Sequence, residues 1–212
     1  DAEHVAQLER RASHDDGTGL ALRASQHFVQ HLPRQRAVPL YLATQFPARY
    51  AVLVRVLDEA RRRLAAPHGA SAWHPTHVVD YCAHTSEALW AYDHVFGARH
   101  LREYVAEARH STLLKALAEL QDDDAWSHIR TVFRVRGDKP HVHREAPRDD
   151  SLPTRLGLHA YGLSAAASDT AREREVLRMW KSEADVLVLV EEATPRGFAS
   201  VSYTHLTLPT KR

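Results

Sequence analysis

Val78 to Trp90 reads VVDYCAHTSEALW, a short apolar run that passes into a helical pattern through a polar turn. In doubly wound sheets the turn after the first strand receives a cofactor, because helix N-terminal amides and close backbone approach meet there. Glycine suits such a turn, since a Cβ blocks the approach and resists positive φ. With Asp80 closing the strand, the glycine-loop positions are Cys82, His84 and Ser86, and all three carry side chains. Glu107 closes the next strand, at the spacing of an acid that grips ribose hydroxyls. On spacing alone, a degenerate cofactor turn and an ordinary strand-turn-helix both remain open.

Working outward, strands and helices alternate. Thr76 to Tyr81 is expected as a buried strand, Glu87 to Phe96 as a helix stopped by Gly97, and Leu101 to Glu107 as a second strand. A helix from Ser111 to Leu120, a strand at Ile129 to Val135 and a strand in RLGLHAYGLS follow. TARE, Thr170 to Glu173, reads as a capping box opening a helix through Trp180. DVLVLVEE, Asp185 to Glu192, has the pattern of the clearest buried strand. The alternation implies a parallel sheet.

Upstream, Tyr50, Leu53, Val54, Leu57, Ala60 and Leu64 recur at helical spacing, with Arg55, Asp58, Glu59 and Arg61 to Arg63 on the other face. Pro47 sits near the start of that helix, and a shorter helical pattern spans Leu20 to Leu32. The breaker-rich APHGASAWHPT places a domain boundary at about residue 70, so 1–70 is expected as a helical segment and 71–201 as the main, incomplete domain. Residues 202–212, SYTHLTLPTKR, follow a glycine turn with no helical or strand period, look like a translated sequencing-adapter tail and are expected to be non-native. A chain beginning at Asp1 without an initiator methionine is expected to be processed, trimmed or a fragment.

Composition narrows the function classes. Lys plus Arg number 28 against 27 Asp plus Glu, so a nucleic-acid role must come from a local patch. No apolar run nears the roughly 20 residues of a membrane span. Cys82 is the only cysteine, which excludes an internal disulfide framework and a cysteine-built metal site within these 212 residues.

Four stretches, YLATQFPARYAVLVRVLDEARRR, VVDYCAHTSEALWA, LGLHAYGLS and LRMWKSEADVLVLVEEATPRGF, resemble in order and spacing the mitochondrial small-ribosomal-subunit family of degenerate class I methyltransferases. The most specific element is the strand followed by Glu191, Glu192, Ala193, Thr194, Pro195, Arg196, Gly197 and Phe198. The resemblance implies an α/β fold, here a truncated Rossmann-like parallel sheet with an N-terminal helical segment. It also implies a mitochondrial matrix location and partners among mitochondrial small-subunit rRNA and ribosomal proteins. S-adenosylmethionine is the cofactor it implies for Asp80, Cys82, His84, Ser86 and Glu107. An iron–sulfur cluster is implied as well, but its cysteines would lie beyond Phe198, so it is expected in a longer chain alone. The expected role is structural or in ribosome assembly, without catalysis; an active S-adenosylmethionine-dependent rRNA methyltransferase is the alternative. Restoring glycine at positions 82, 84 and 86 is expected to tighten cofactor binding, provided that Glu107 holds the ribose.

Other residues invite chemistry. His74 with His77, and His141 with His143, suggest a metal-dependent hydrolase, yet neither pair has a third ligand at a convergent spacing, and hydrogen-bonded histidine is the simpler reading. Cys82 beside His84 lacks an orienting acid and reads as a structural thiol. Arg61 to Arg63 reads as a solvated helix face. Between His128 and Arg148, Arg130, Arg134, Arg136, Lys139, Arg144 and Arg148 outnumber the acids and are candidate phosphate contacts, with a polar insertion as the competing reading.

Overall fold

The computed structural model describes residues 34–65, 73–108, 126–135, 154–166, 168–182 and 184–207. The helices expected at Leu20 to Leu32 and Ser111 to Leu120 lie outside the described residues. The chain divides into two units between Pro47 and Ala48, not near residue 70. In the first unit, helix α1 (Arg34–Thr44) ends where Thr44 Oγ1 turns back to donate to the Leu40 carbonyl at 2.7 Å.

The boundary moves because helix α2 (Phe46–Ala65) shares a core with the sheet. Its Leu53 and Leu57, one turn apart, are buried in the same cluster as Trp73, Val78, Tyr104, Leu156 and Leu158. The breaker-rich stretch therefore lies in sequence between two pieces of one core and does not mark a domain edge; its residues 66–72 lie outside the described residues. On the outer face of α2, Asp58 accepts from Arg61 (2.7 Å) and Arg62 (2.6 Å), and Glu59 accepts from Arg63 (2.7 Å). The basic run is thus neutralised along its own helix, at the few tenths of a kcal/mol per pair typical of exposed i,i+3 and i,i+4 partners.

Five strands, β1 (His77–Asp80), β2 (Glu103–Ala108), β3 (Arg130–Val135), β4 (Arg155–Ala160) and β5 (Val186–Val190), form a parallel sheet in the order β3-β2-β1-β4-β5. The chain runs outward from β1 through β2 to β3, then returns to β4 on the other side. This reversal beside β1 is where open α/β sheets form a crevice at their carboxyl ends.

Alternation along each strand feeds two apolar layers. Val78, Tyr104, Ala106, Leu156 and Leu158 face α2 and helix α3 (Glu87–Phe96), whose Ala88, Leu89, Tyr92 and Phe96 are buried with them. Val79, Tyr81 and Val105 face the opposite way, onto Leu163 and onto Val176 and Met179 of helix α4 (Asp169–Ser182). Cover on both faces explains the unbroken apolar strands. Gly157 of β4 lets Ala184 and Tyr81 close over it, since a Cβ there would lie 2.8 Å from Ala184 Cβ and 3.1 Å from Tyr81 Cε2. Against α3, the exposed Trp90 meets the buried Trp126 edge-on at 4.8 Å, and Trp126 Nε1 donates to Asp93 at 3.4 Å.

Three expectations change. The helix read from TARE begins earlier, at Asp169: Ser168 Oγ accepts from the Ala171 amide at 3.1 Å and is the cap, which leaves Thr170 inside the helix. Strand β5 is largely half-buried, with Val190 its one buried residue, because it pairs with β4 alone among the described strands. Helix α5 (Pro195–Thr207) runs into the segment taken as a period-free tail.

Candidate cofactor cleft

The turn from β1 into α3 is fixed by both neighbouring strands. Tyr81 N donates to the Leu158 carbonyl at 2.8 Å, and Ala83 N donates to the Glu107 carbonyl at 2.9 Å. Asp80 closes β1 with one oxygen accepting from Cys82 N (3.1 Å) and the other from Tyr104 Oη (3.0 Å). Burial raises the Asp80 carboxyl to a pKa of about 7; the nearby Glu87 adds to the rise, and the Cys82 and Tyr104 hydrogen bonds oppose it. Glu87 in turn accepts from Thr85 N (2.9 Å) and Thr85 Oγ1 (3.0 Å), and the Ser86 carbonyl starts the helix by accepting from Leu89 N and Trp90 N.

Ser86 adopts φ 63° and ψ 13°, a left-handed conformation that an L side chain enters at a cost of about 1–2 kcal/mol. The backbone keeps the shape of a glycine turn while a side chain stands on it. Cys82, Ala83, Thr85 and Ser86 are all buried, so the turn is packed with protein. Across the order reversal, a Cβ on Gly162 would lie 2.7 Å from Cys82 Sγ and 2.6 Å from His159 Cε1. The thiol and the buried His159 ring therefore fill the gap between the turns that follow β1 and β4.

Glu107 has no solvent exposure. Its Oε2 accepts from Arg134 Nε at 3.0 Å and from Arg178 Nη1 at 3.3 Å, and its Oε1 accepts from Arg178 Nη2 at 2.7 Å. Arg134 is its direct neighbour in the ladder, and Arg178 reaches down from α4, where it also pairs with Glu175 at 2.8 Å. Burial works against the charge on Arg178, and the hydrogen bonds it donates to Glu175 and Glu107 outweigh it, holding the guanidinium above its ordinary pKa. Both guanidiniums lie over the Tyr81 ring, at 5.9 Å and 5.3 Å from its centroid.

The five cofactor candidates thus converge in part. Asp80, Cys82 and Ser86 shape one buried turn, His84 sits in it, and Glu107 adjoins it through the Ala83 hydrogen bond. As arranged, they do not fit S-adenosylmethionine: ribose hydroxyls at Glu107 would have to displace two guanidiniums, and the methionine end would meet Cys82 and His159. Nor do they fit an iron–sulfur cluster, since Cys82 is the sole cysteine; among the described residues no three His, Cys, Asp or Glu side chains are grouped to hold a metal.

Of the phosphate candidates, Arg134 is buried against Glu107, while Arg130 is 65% exposed and pairs with Glu103 at 3.2 Å. Arg136, Lys139, Arg144 and Arg148 lie outside the described residues, as do His141 and His143. His74 stacks on His100 at 4.3 Å, whereas His77 Nδ1 is 2.9 Å from Thr76 Oγ1, so this histidine pair does not converge. Burial and the neighbouring His100 lower the His74 pKa. Sequence reasoning missed Arg178 and His159. An arginine three residues from Glu175 reads as a surface pair, and nothing local ties it to an acid 71 residues away.

A second strand-to-helix turn closes the same sheet edge. Glu191, after β5, accepts from Leu163 N at 2.6 Å. Thr194 caps α5, its Oγ1 accepting from Gly197 N at 3.1 Å and its carbonyl from Phe198 N at 2.9 Å, with Pro195 as the first helical residue. Gly197 lies so close to the Glu192 carbonyl that a Cβ would overlap it. This turn borders an open cavity of about 550 Å³ lined by Glu191, Thr194, Phe198 and Val201. No helix among the described residues is long and apolar enough to cross a membrane.

No curated protein matches the chain. The profile of a methyltransferase-like family matches residues 35–211, which takes in the described sheet and both turns. On that match the chain belongs to the family described as mitochondrial small ribosomal subunit Rsm22.

Proposed function

We propose that the protein is a non-catalytic component or assembly factor of the mitochondrial small ribosomal subunit, acting in the matrix, and that it holds rRNA through a methyltransferase-like shell. The observation that carries the loss of catalysis is the double arginine clamp on Glu107. A methyltransferase depends on holding donor and acceptor in a near-attack geometry, and here the acid expected to hold the donor is already satisfied. Family membership supports the ribosomal partner. The exposed Arg130 and the basic residues that follow β3 supply a route to phosphates, whose contacts release counterions and so weaken with salt. The left-handed Ser86 favours the competing reading of an active methyltransferase, because that backbone conformation is the one glycine supplies in cofactor-binding turns.

Gradient sedimentation of mitochondrial lysate decides the main reading. The protein is expected in small-subunit fractions, released as salt rises, and its absence from them at every salt concentration would overturn the ribosomal assignment. A methyl group transferred from labelled S-adenosylmethionine to small-subunit rRNA would overturn the non-catalytic part.

A further inference from the structure

We infer that Arg134 and Arg178 are the resident ligands of Glu107, so that this β2 acid is an internal counter-charge and not a ribose-binding group. Three observations converge. Both carboxylate oxygens are taken, with Arg178 Nη2 on Oε1 at 2.7 Å and Arg134 Nε on Oε2 at 3.0 Å. The carboxylate has no exposure and Arg134 is buried beside it, while Arg178, 30% exposed, closes the outer side of the clamp. Tyr81 lies beneath both guanidiniums, where an aromatic face favours a cation.

A planar guanidinium forks onto a carboxylate with two parallel donors, as a vicinal diol also does. The clamp therefore offers Glu107 the same pattern of donated hydrogen bonds without a bound cofactor. It also joins β2, β3 and α4 across 71 residues of sequence. Arg178 also donates from Nε and Nη2 to Glu175 on its own helix.

This inference stands apart from ribosomal association: a protein that sediments with small subunits can still fail it, and one that does not can still satisfy it. The test is thermal unfolding of the full chain with and without millimolar S-adenosylmethionine, S-adenosylhomocysteine or adenosine. The wild-type midpoint is expected to move by less than about 1 °C with any of the three, since a ligand stabilises in proportion to its occupancy. Arg178→Met and Glu107→Gln are each expected to lower the midpoint by about 5 °C. The double variant is expected to lose clearly less than the sum, the signature of two residues that act through one contact. Strictly additive losses would overturn the inference, as would a wild-type rise with ligand that Glu107→Gln abolishes. A rise that persists in Glu107→Gln would leave Glu107 a counter-charge and place the ligand elsewhere. Should Arg178→Met fail to fold, Arg178→Lys serves in its place: it keeps the charge, loses the fork, and is expected to fall between wild type and Glu107→Gln.

Discussion

Two strand-to-helix turns stand at the carboxyl edge of one sheet, and they treat glycine in opposite ways. In the turn from Asp80 to Glu87, Ser86 occupies a left-handed position and its neighbours pack the interior. In the turn from Glu191 to Phe198, a glycine stands where the Glu192 carbonyl leaves no room for a Cβ. Both turns begin with an acid that accepts from a backbone amide, Asp80 from Cys82 and Glu191 from Leu163. The difference lies in what faces the turn. Backbone cannot withdraw, so Gly197 has no substitute, whereas the first turn is packed by side chains, which can shift.

Asp80 offers the largest test. Its folded pKa of about 7 lies above the ordinary carboxylate value of 3.8, so the folded state holds a proton that the unfolded state releases between those two values. Stability is fully present below pH 4 as far as this group is concerned, and falls as pH rises through 7, by a total on the order of 4 kcal/mol. Asp80→Asn should flatten the profile of denaturant midpoint between pH 4 and 8 and unfold later than wild type at pH 8. An unchanged slope would mean that burial does not lift the titration of Asp80.

Gly197→Ala comes next, with an expected loss of about 3 kcal/mol in urea unfolding, because the new Cβ meets backbone and not a flexible side-chain end. A variant as stable as wild type would erase the contrast between the turns. Replacing Cys82, His84 and Ser86 with glycine together tests the first turn as a ligand site. With Glu107 clamped, calorimetry should show less than about a tenfold gain in affinity for S-adenosylmethionine, or about 1.4 kcal/mol, and a larger gain when Arg178→Met is added. The smallest effect belongs to Ser86→Gly alone. Relief of the left-handed strain is offset by the greater freedom of glycine in the unfolded chain, leaving a change of under about 1 kcal/mol.

How much of this could be read from the sequence varies with how local the cause is. Helix α3 appeared with both its bounds, Glu87 and Phe96, because its apolar period and Gly97 lie within the same short stretch. The cap of α4 was misplaced by two residues since Ser168 and Thr170 are both competent caps, and only the geometry chooses between them. Burial of β5 was overread: alternating Val and Leu records apolar character, not the number of strands alongside. That Asp80, Cys82, Ser86 and Glu107 gather at the carboxyl end of the sheet was legible in their spacing. Their state was not. Arg134 read as a phosphate contact because its register opposite Glu107 exists only after β2 and β3 pair, and Arg178 carried no signal at all.

The edge-on pair of Trp90 and Trp126 gives the fold its own optical reporter. Trp126 lies in the turn leading into the strand that carries Arg134, while Trp90 rides on the helix that follows the first turn. Two indoles locked at 83° couple their excited states, so near-ultraviolet circular dichroism should carry a signal that vanishes when β3 leaves the sheet. Far-ultraviolet dichroism, dominated by the helices, would persist through such a loss. The two spectra recorded on one sample therefore separate detachment of the clamp-bearing strand from unfolding of the whole domain.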